Sequence, residues 1–264
     1  MTRRIPRALA AACAAACAAF TLATPLAAQS LAQRVAAVKN GTVRLSFASR
    51  PGVCGNGRGN ISTGRNTNRS RNDEWTDECE PGPVRVAADI ADGAIVALRT
   101  YVGGRWKSPG DAKDFGTVGV KDATDWLLNT VARGEGKAAN EAIFPATIAD
   151  SVVVWPELLA IAKDDKFSRA TRQQAVFWVS QAAGDKATEG LTAIVGDPTG
   201  DREVRKQAVF AISQRPKDEG IPALLNVART SKDPEIRKSA IFWLGQSRDA
   251  RAIEYFEKVL LGKD

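Results

Sequence analysis

The chain of 264 residues contains no histidine. That removes the Ser-His-Asp and Cys-His catalytic arrangements and the zinc motifs that use imidazole. There is no SxxK dyad, no GxSxG turn and no GxxxxGK phosphate loop. What is left for chemistry is carboxylate and guanidinium, most concentrated between Cys54 and Cys79. Arg58, Arg65, Arg69 and Arg71 occupy the first half of that segment, and Asp73, Glu74, Trp75, Asp77 and Glu78 the second. Asp77 facing another carboxylate across a cleft would allow acid–base chemistry. An anion site or a calcium site would use the same residues, but the acids do not keep the spacing of an EF-hand loop. The favoured reading is a solvated, stapled loop whose oppositely charged halves attract. No catalytic, cofactor-binding or metal-binding residue is assigned, no cofactor is expected, and the chain is read as a non-enzyme.

A second set of residues stands out for recognition rather than catalysis. Phe144, Phe177, Phe210 and Phe242 recur at steps of 33, 33 and 32 residues, with Trp178 and Trp243 beside them and Arg172, Arg205 and Arg237 nearby. On a helix, Phe210 points about 145° away from the mean direction of Val204, Ala208, Ala211 and Ile212. A repeated apolar row opposite a core stripe marks a contact. Three occupants compete: a partner protein or peptide, the chain's own N-terminal sheet, or the neighbouring repeats.

The elements that position this row follow from periodicity. Glu141-Ala142-Ile143-Phe144 recurs as Gln174-Ala175-Val176-Phe177, as Gln207-Ala208-Val209-Phe210 and as Ser239-Ala240-Ile241-Phe242. Ile221-Pro222-Ala223-Leu224-Leu225 matches Trp155-Pro156-Glu157-Leu158-Leu159 two periods earlier. Each unit reads as two helices, neither able to bury its stripe alone, so the units must stack. Asp201 and Asp233, with Ser168 in the earlier unit, stand where a first helix is capped, and Pro234 takes the first helical position. Pro145 falls inside the first helix of the first unit, which reads as a modified cap. Glu257, where an earlier unit has Leu225, reads as the polar face of a last, capping unit.

The segments Asp201-Arg202-Glu203-Val204-Arg205 and Asp233-Pro234-Glu235-Ile236-Arg237 resemble HEAT repeats of the short, bilin-lyase-like class. The resemblance covers residues 139–263. It implies an α-solenoid in which the arginine after each cap bridges neighbouring units. A repeat motif marks architecture and not activity, so lyase chemistry is not carried over. A bilin- or cofactor-handling enzyme and a purely structural protein remain the alternatives to a binding module.

Residues 1–28 read as a signal peptide: Arg3, Arg4 and Arg7, then an alanine-rich apolar run, then small residues before a cleavage point near Ala28. The mature chain is then expected to be periplasmic or extracellular, with no retained membrane span. Cleavage removes three arginines and lowers the net charge from +7 to +4. That is too modest for a dedicated nucleic-acid binder, and no nucleic acid is expected. Cys54 and Cys79 remain and are read as one disulfide. Closing a loop of 26 residues would stabilise the fold by about 3–4 kcal/mol.

Val43, Leu45 and Phe47 alternate with polar residues, as do Val84, Val86, Ala88 and Ile90. Asp92-Gly93 then predicts a tight hairpin turn, with a return strand from Ile95 to Val102. The expected fold is α+β. A small N-terminal antiparallel β-sheet (29–106, with the Cys54–Cys79 loop) leads through a linker and helix (107–137, the linker over 108–120) to an α-solenoid of about four repeats (138–264). The expected partner is another protein or peptide, engaged in the cell envelope.

Overall fold

The computed structural model describes residues 29–56, 74–76, 80–107, 110–181 and 185–262. The expected signal peptide and Cys79 lie outside these residues, as do Asp77 and the four loop arginines.

The chain opens on a short helix, α1 (Leu31–Ala36), whose Ser30 and Gln33 cap each other's backbone amides. A five-stranded sheet follows: β1 (Gly41–Phe47), β2 (Gly55–Asn56), β3 (Val84–Ala91), β4 (Ala94–Val102) and β5 (Lys113–Thr117), in the order β2-β4-β3-β1-β5. The β3–β4 hairpin turns where the sequence predicts. Asp92 (φ 51°) and Gly93 (φ 79°) are both left-handed, as a two-residue turn of matching twist demands. At the far end of β4, Gly103 and Gly104 cannot carry a side chain. A Cβ on Gly103 would sit 1.9 Å from the Glu80 carbonyl oxygen.

The sheet departs from the antiparallel expectation at one edge. The stretch expected as linker contains β5, which runs parallel to β1. Its only apolar residue is the half-buried Phe115, so it lacks the alternation that marks a strand facing a core. Gly116, in the left-handed region at φ 68°, breaks its regularity.

Alternation decides which face is core. Val43, Leu45, Phe47, Val84, Val86, Ala88, Leu98 and Val102 share one apolar cluster with Leu31 and Val35 of α1 and with Trp126, Leu127 and Val131. The last three lie on α2 (Val120–Trp126) and the π-helical turn that continues it (Leu127–Val131).

The opposite face is polar yet also covered. Glu74 and Trp75 of the charged loop fold back onto it. Trp75 is fully buried, stacks on Tyr101 with ring centroids 5.2 Å apart, and donates its Nε1 hydrogen to the Gly103 carbonyl. The solvated-loop reading is therefore corrected for this part of the segment. Glu74 accepts from Arg99 at 2.8 Å and lies 3.6 Å from Arg44, while Arg99 also binds Asp89. The Arg99 hydrogen bond holds the Asp89 carboxyl below its ordinary value despite burial. Cys54 is buried at the edge of this layer.

The remaining helices form four consecutive pairs. They are α3 (Gly136–Glu141) and α4 (Ile143–Thr147) with α5 (Trp155–Lys163); α6 (Arg169–Ser180) with α7 (Asp185–Gly196); α8 (Arg202–Ser213) with α9 (Lys217–Thr230); and α10 (Pro234–Ser247) with α11 (Ala250–Leu260). In the first pair the first helix is broken in two after Glu141. Pro145 has no N–H to return to the Glu141 carbonyl, which ends α3 there.

The sheet closes the start of the solenoid. Helix α3 packs on β4, and α4 packs on α2 and the π-helical turn. The backbone joins them as well: Arg50 N–H donates to the Ile148 carbonyl at 2.9 Å, and Asp150 N–H to the Ala48 carbonyl at 3.0 Å. No helix among the described residues is long and apolar enough to cross a membrane.

Candidate protein-binding surface

The first helices of the pairs are set by capping and by one repeated ion pair. Ser168 accepts from the Thr171 amide, Asp201 from those of Glu203 and Val204, and Asp233 from that of Glu235. Each aspartate is also gripped by two arginines of the preceding unit. Arg169 and Arg172 reach Asp201 at 2.8 and 3.7 Å, and Arg202 and Arg205 reach Asp233 at 3.4 and 3.1 Å. Burial raises the Asp201 carboxyl. The Arg169 hydrogen bond and the Val204 and Glu203 amides override it and leave the group below its usual value. Asp233 behaves alike, with burial opposed by the Glu235 and Ile236 amides and by Arg202 and Arg205.

This geometry relocates two residues of the expected binding surface. Arg205 is buried, and its Nε–H donates to the Val195 carbonyl at 3.0 Å. Arg172 lies in the equivalent seam, its side chain 13% exposed. Both are inter-unit staples. Only Arg237 of the three is exposed, donating to the Ser231 carbonyl.

The phenylalanines form two aromatic clusters. Trp178 stands between Phe144 of the preceding unit and Phe177 of its own helix, each 5.2 Å away by ring centroid. Trp243 stands in the same way between Phe210 and Phe242, each at 5.0 Å. The clusters are separate because the intervening helix carries Ala211 where the other two carry tryptophan. A tryptophan thus bridges every second seam. The principal packing neighbours of α6, α8 and α10 are helices of the solenoid, not strands, so the row meets its own rings and neighbouring units. Phe144, Phe177 and Phe210 are half-buried, while Phe242 is 55% exposed.

A hydrogen-bonding row escaped the sequence reading. Gln181, Gln214 and Gln246 each follow the phenylalanine by four residues, one turn along the same face, and all three are exposed. The Gln181 and Gln214 amides donate to Ser180 and Ser213 at 3.0 and 3.1 Å. Those serines in turn donate back to the Phe177 and Phe210 carbonyls, each at 2.6 Å. The signal was present as the recurring endings Phe-Trp-Val-Ser-Gln, Phe-Ala-Ile-Ser-Gln and Phe-Trp-Leu-Gly-Gln.

Between Gln214 and Gln246 the surface opens into a cavity of about 270 Å³, with Trp243 on its wall and Ile221 and Leu224 lining it. Arg215 lines it too, with Nη1–H donating to the Ser180 carbonyl and an ion pair to Glu219 at 2.9 Å. Among the described residues no group of three or more carboxylates and cysteines is placed to hold a metal ion. The surface offers aromatic edges, amide groups and a recess of mixed lining, where Ser213, Lys217 and Ser247 stand with Ile221, Leu224 and Trp243.

No curated protein matches this chain. A family model described as HEAT repeats matches residues 188–264, from the first turn of α7 through α8, α9, α10 and α11. The match makes α7 to α11 similar to HEAT repeats, and the same arginine-to-aspartate seam extends back to α6.

Proposed function

We propose that this chain is an exported protein-binding module of the cell envelope that engages a peptide or protein segment along its first helices. HEAT repeats support an interaction role in general terms. The observation that carries the specific reading is the Phe–Gln face with the recess at Trp243. Stacked helices lie about 8–10 Å apart, and three residues of an extended chain span about 10 Å. One repeat therefore matches about three residues of an extended partner. Exposed Gln amides would meet its main chain, and a side chain with an apolar stem and a polar end would suit the mixed lining of the recess. Export rests on the N-terminal pattern of basic, apolar and small residues. A Cys54–Cys79 disulfide would then form in an oxidising compartment.

Two experiments test this. Fractionation with N-terminal sequencing is expected to find the mature chain beginning near Gln29 outside the cytoplasm. A cytoplasmic product with an intact N-terminus overturns export. Photo-crosslinkers placed at Gln214 and Gln246 are expected to join a partner segment in native envelope extract, and one placed at exposed Lys186 is not. Equal labelling at all three positions overturns the surface assignment.

A further inference from the structure

The α10–α11 pair carries the equipment of an internal seam with nothing upon it among the described residues. In the three earlier units the β-branched residue before the phenylalanine is sealed: Ile143, Val176 and Val209 are each 0% exposed. Its counterpart Ile241 is 39% exposed. The residue four earlier on that stripe is Arg172, Arg205 or Arg237. The first two grip the cap aspartate of the next unit. Arg237 meets only the Ser231 carbonyl among the described residues.

Helix α11, packed on α10, carries a second apolar stripe. At 100° per residue, Ile253, Phe256 and Leu260 fall on one stripe with Glu257 at its edge. Ile253 is 54% and Leu260 85% exposed. The expected polar cap is thus reduced to Glu257 beside an apolar surface.

We propose that a second copy of this chain covers this face, tail to tail. The face holds what a seam requires from the other side: branched apolar side chains to meet Ile241, and a carboxylate, Glu257, to meet Arg237. Glu257 has no ion-pair partner among the described residues. A two-fold arrangement brings each Arg237 to the other copy's Glu257 and closes both apolar stripes at once. Head-to-tail stacking is blocked, because the sheet and α2 already occupy the start of the solenoid. The pairing therefore stops at two.

Sedimentation velocity of the mature protein from about 1 to about 100 μM, the range of modest protein affinities, tests the proposal. The expected result is a species of twice the protomer mass. Leu260→Glu, at a side chain already in water, is expected to give monomer with an unchanged melting temperature, and Ile241→Glu the same loss of dimer. Arg237→Glu is expected to weaken the dimer at least tenfold, and Arg237→Glu with Glu257→Arg to restore it. Monomeric wild-type protein throughout the range overturns the proposal. So does a dimer that survives Leu260→Glu, or a charge exchange that fails to restore association.

Discussion

The sheet half and the solenoid half both use arginine–carboxylate networks, in opposite ways. In the sheet, Arg44, Arg99, Glu74 and Asp89 form one unrepeated cluster that holds Glu74 and Trp75 of the charged loop against the polar face. In the solenoid, one pair of arginines and one cap aspartate is used at successive seams. The sheet network fixes one loop, whereas the solenoid network fixes a spacing. A lesion in the first is local and severe. A lesion in the second scales with how deeply its seam is buried.

The sharpest break in the comparison is Trp75→Ala. Losing a fully buried indole, its stack on Tyr101 and its hydrogen bond to Gly103 is expected to cost about 3–5 kcal/mol. Chemical denaturation of the mature protein measures this, and tryptophan emission reports the repacking. A loss below about 1 kcal/mol would mean the loop is not held as described.

Next comes the seam. Arg205→Ala removes a buried guanidinium from Asp233 and from the Val195 carbonyl and is expected to cost about 2 kcal/mol. Arg237→Ala, the same column at an uncovered face, is expected to cost under about 0.5 kcal/mol in the monomer. Equal losses at the two positions would break the argument that the column acts through the next unit.

A smaller effect separates capping from ion pairing. Asp201→Ala is expected to cost about 1 kcal/mol by loss of the cap, and Asp201→Asn less, because Asn caps as well. The folded Asp201 and Asp233 carboxyls titrate below their unfolded values. Their contribution is therefore complete above the unfolded value of about 4 and is lost as pH falls through the lower folded values. Asp249 follows the same sign: its hydrogen bond from Arg251 lowers it to about 2. The denaturation midpoint of wild type is expected to fall from pH 5 toward pH 2, and that of Asp201→Asn to fall less.

What was legible in the sequence follows the same division. Repetition announces itself, so the helix pairs, their caps and the arginine column were readable from spacing. The hairpin was readable because Asp92-Gly93 is a local solution to a local problem. Single long-range contacts leave no period. Trp75 in an acidic loop carries no mark of burial, and β5 is an edge strand with one apolar residue, so neither announced its place. Arg172 and Arg205 take the bridging role that the resemblance to HEAT repeats implies, whereas a helical wheel alone does not say which face the next unit covers and leaves them equally open to a partner. The glutamine row is periodic too, but polar periodicity on an exposed face is also the pattern of plain solvation, so spacing alone does not single it out.

Phe242→Ser tests the binding face most directly, because this ring is the most exposed of the row and its loss does not open the core. Crosslinking from Gln246 in native envelope extract would be compared between this variant and wild type, with circular dichroism confirming the fold. The expected result is loss of the crosslinked partner at an unchanged melting temperature. A variant that keeps its partner at wild-type yield would contradict the assignment of this face.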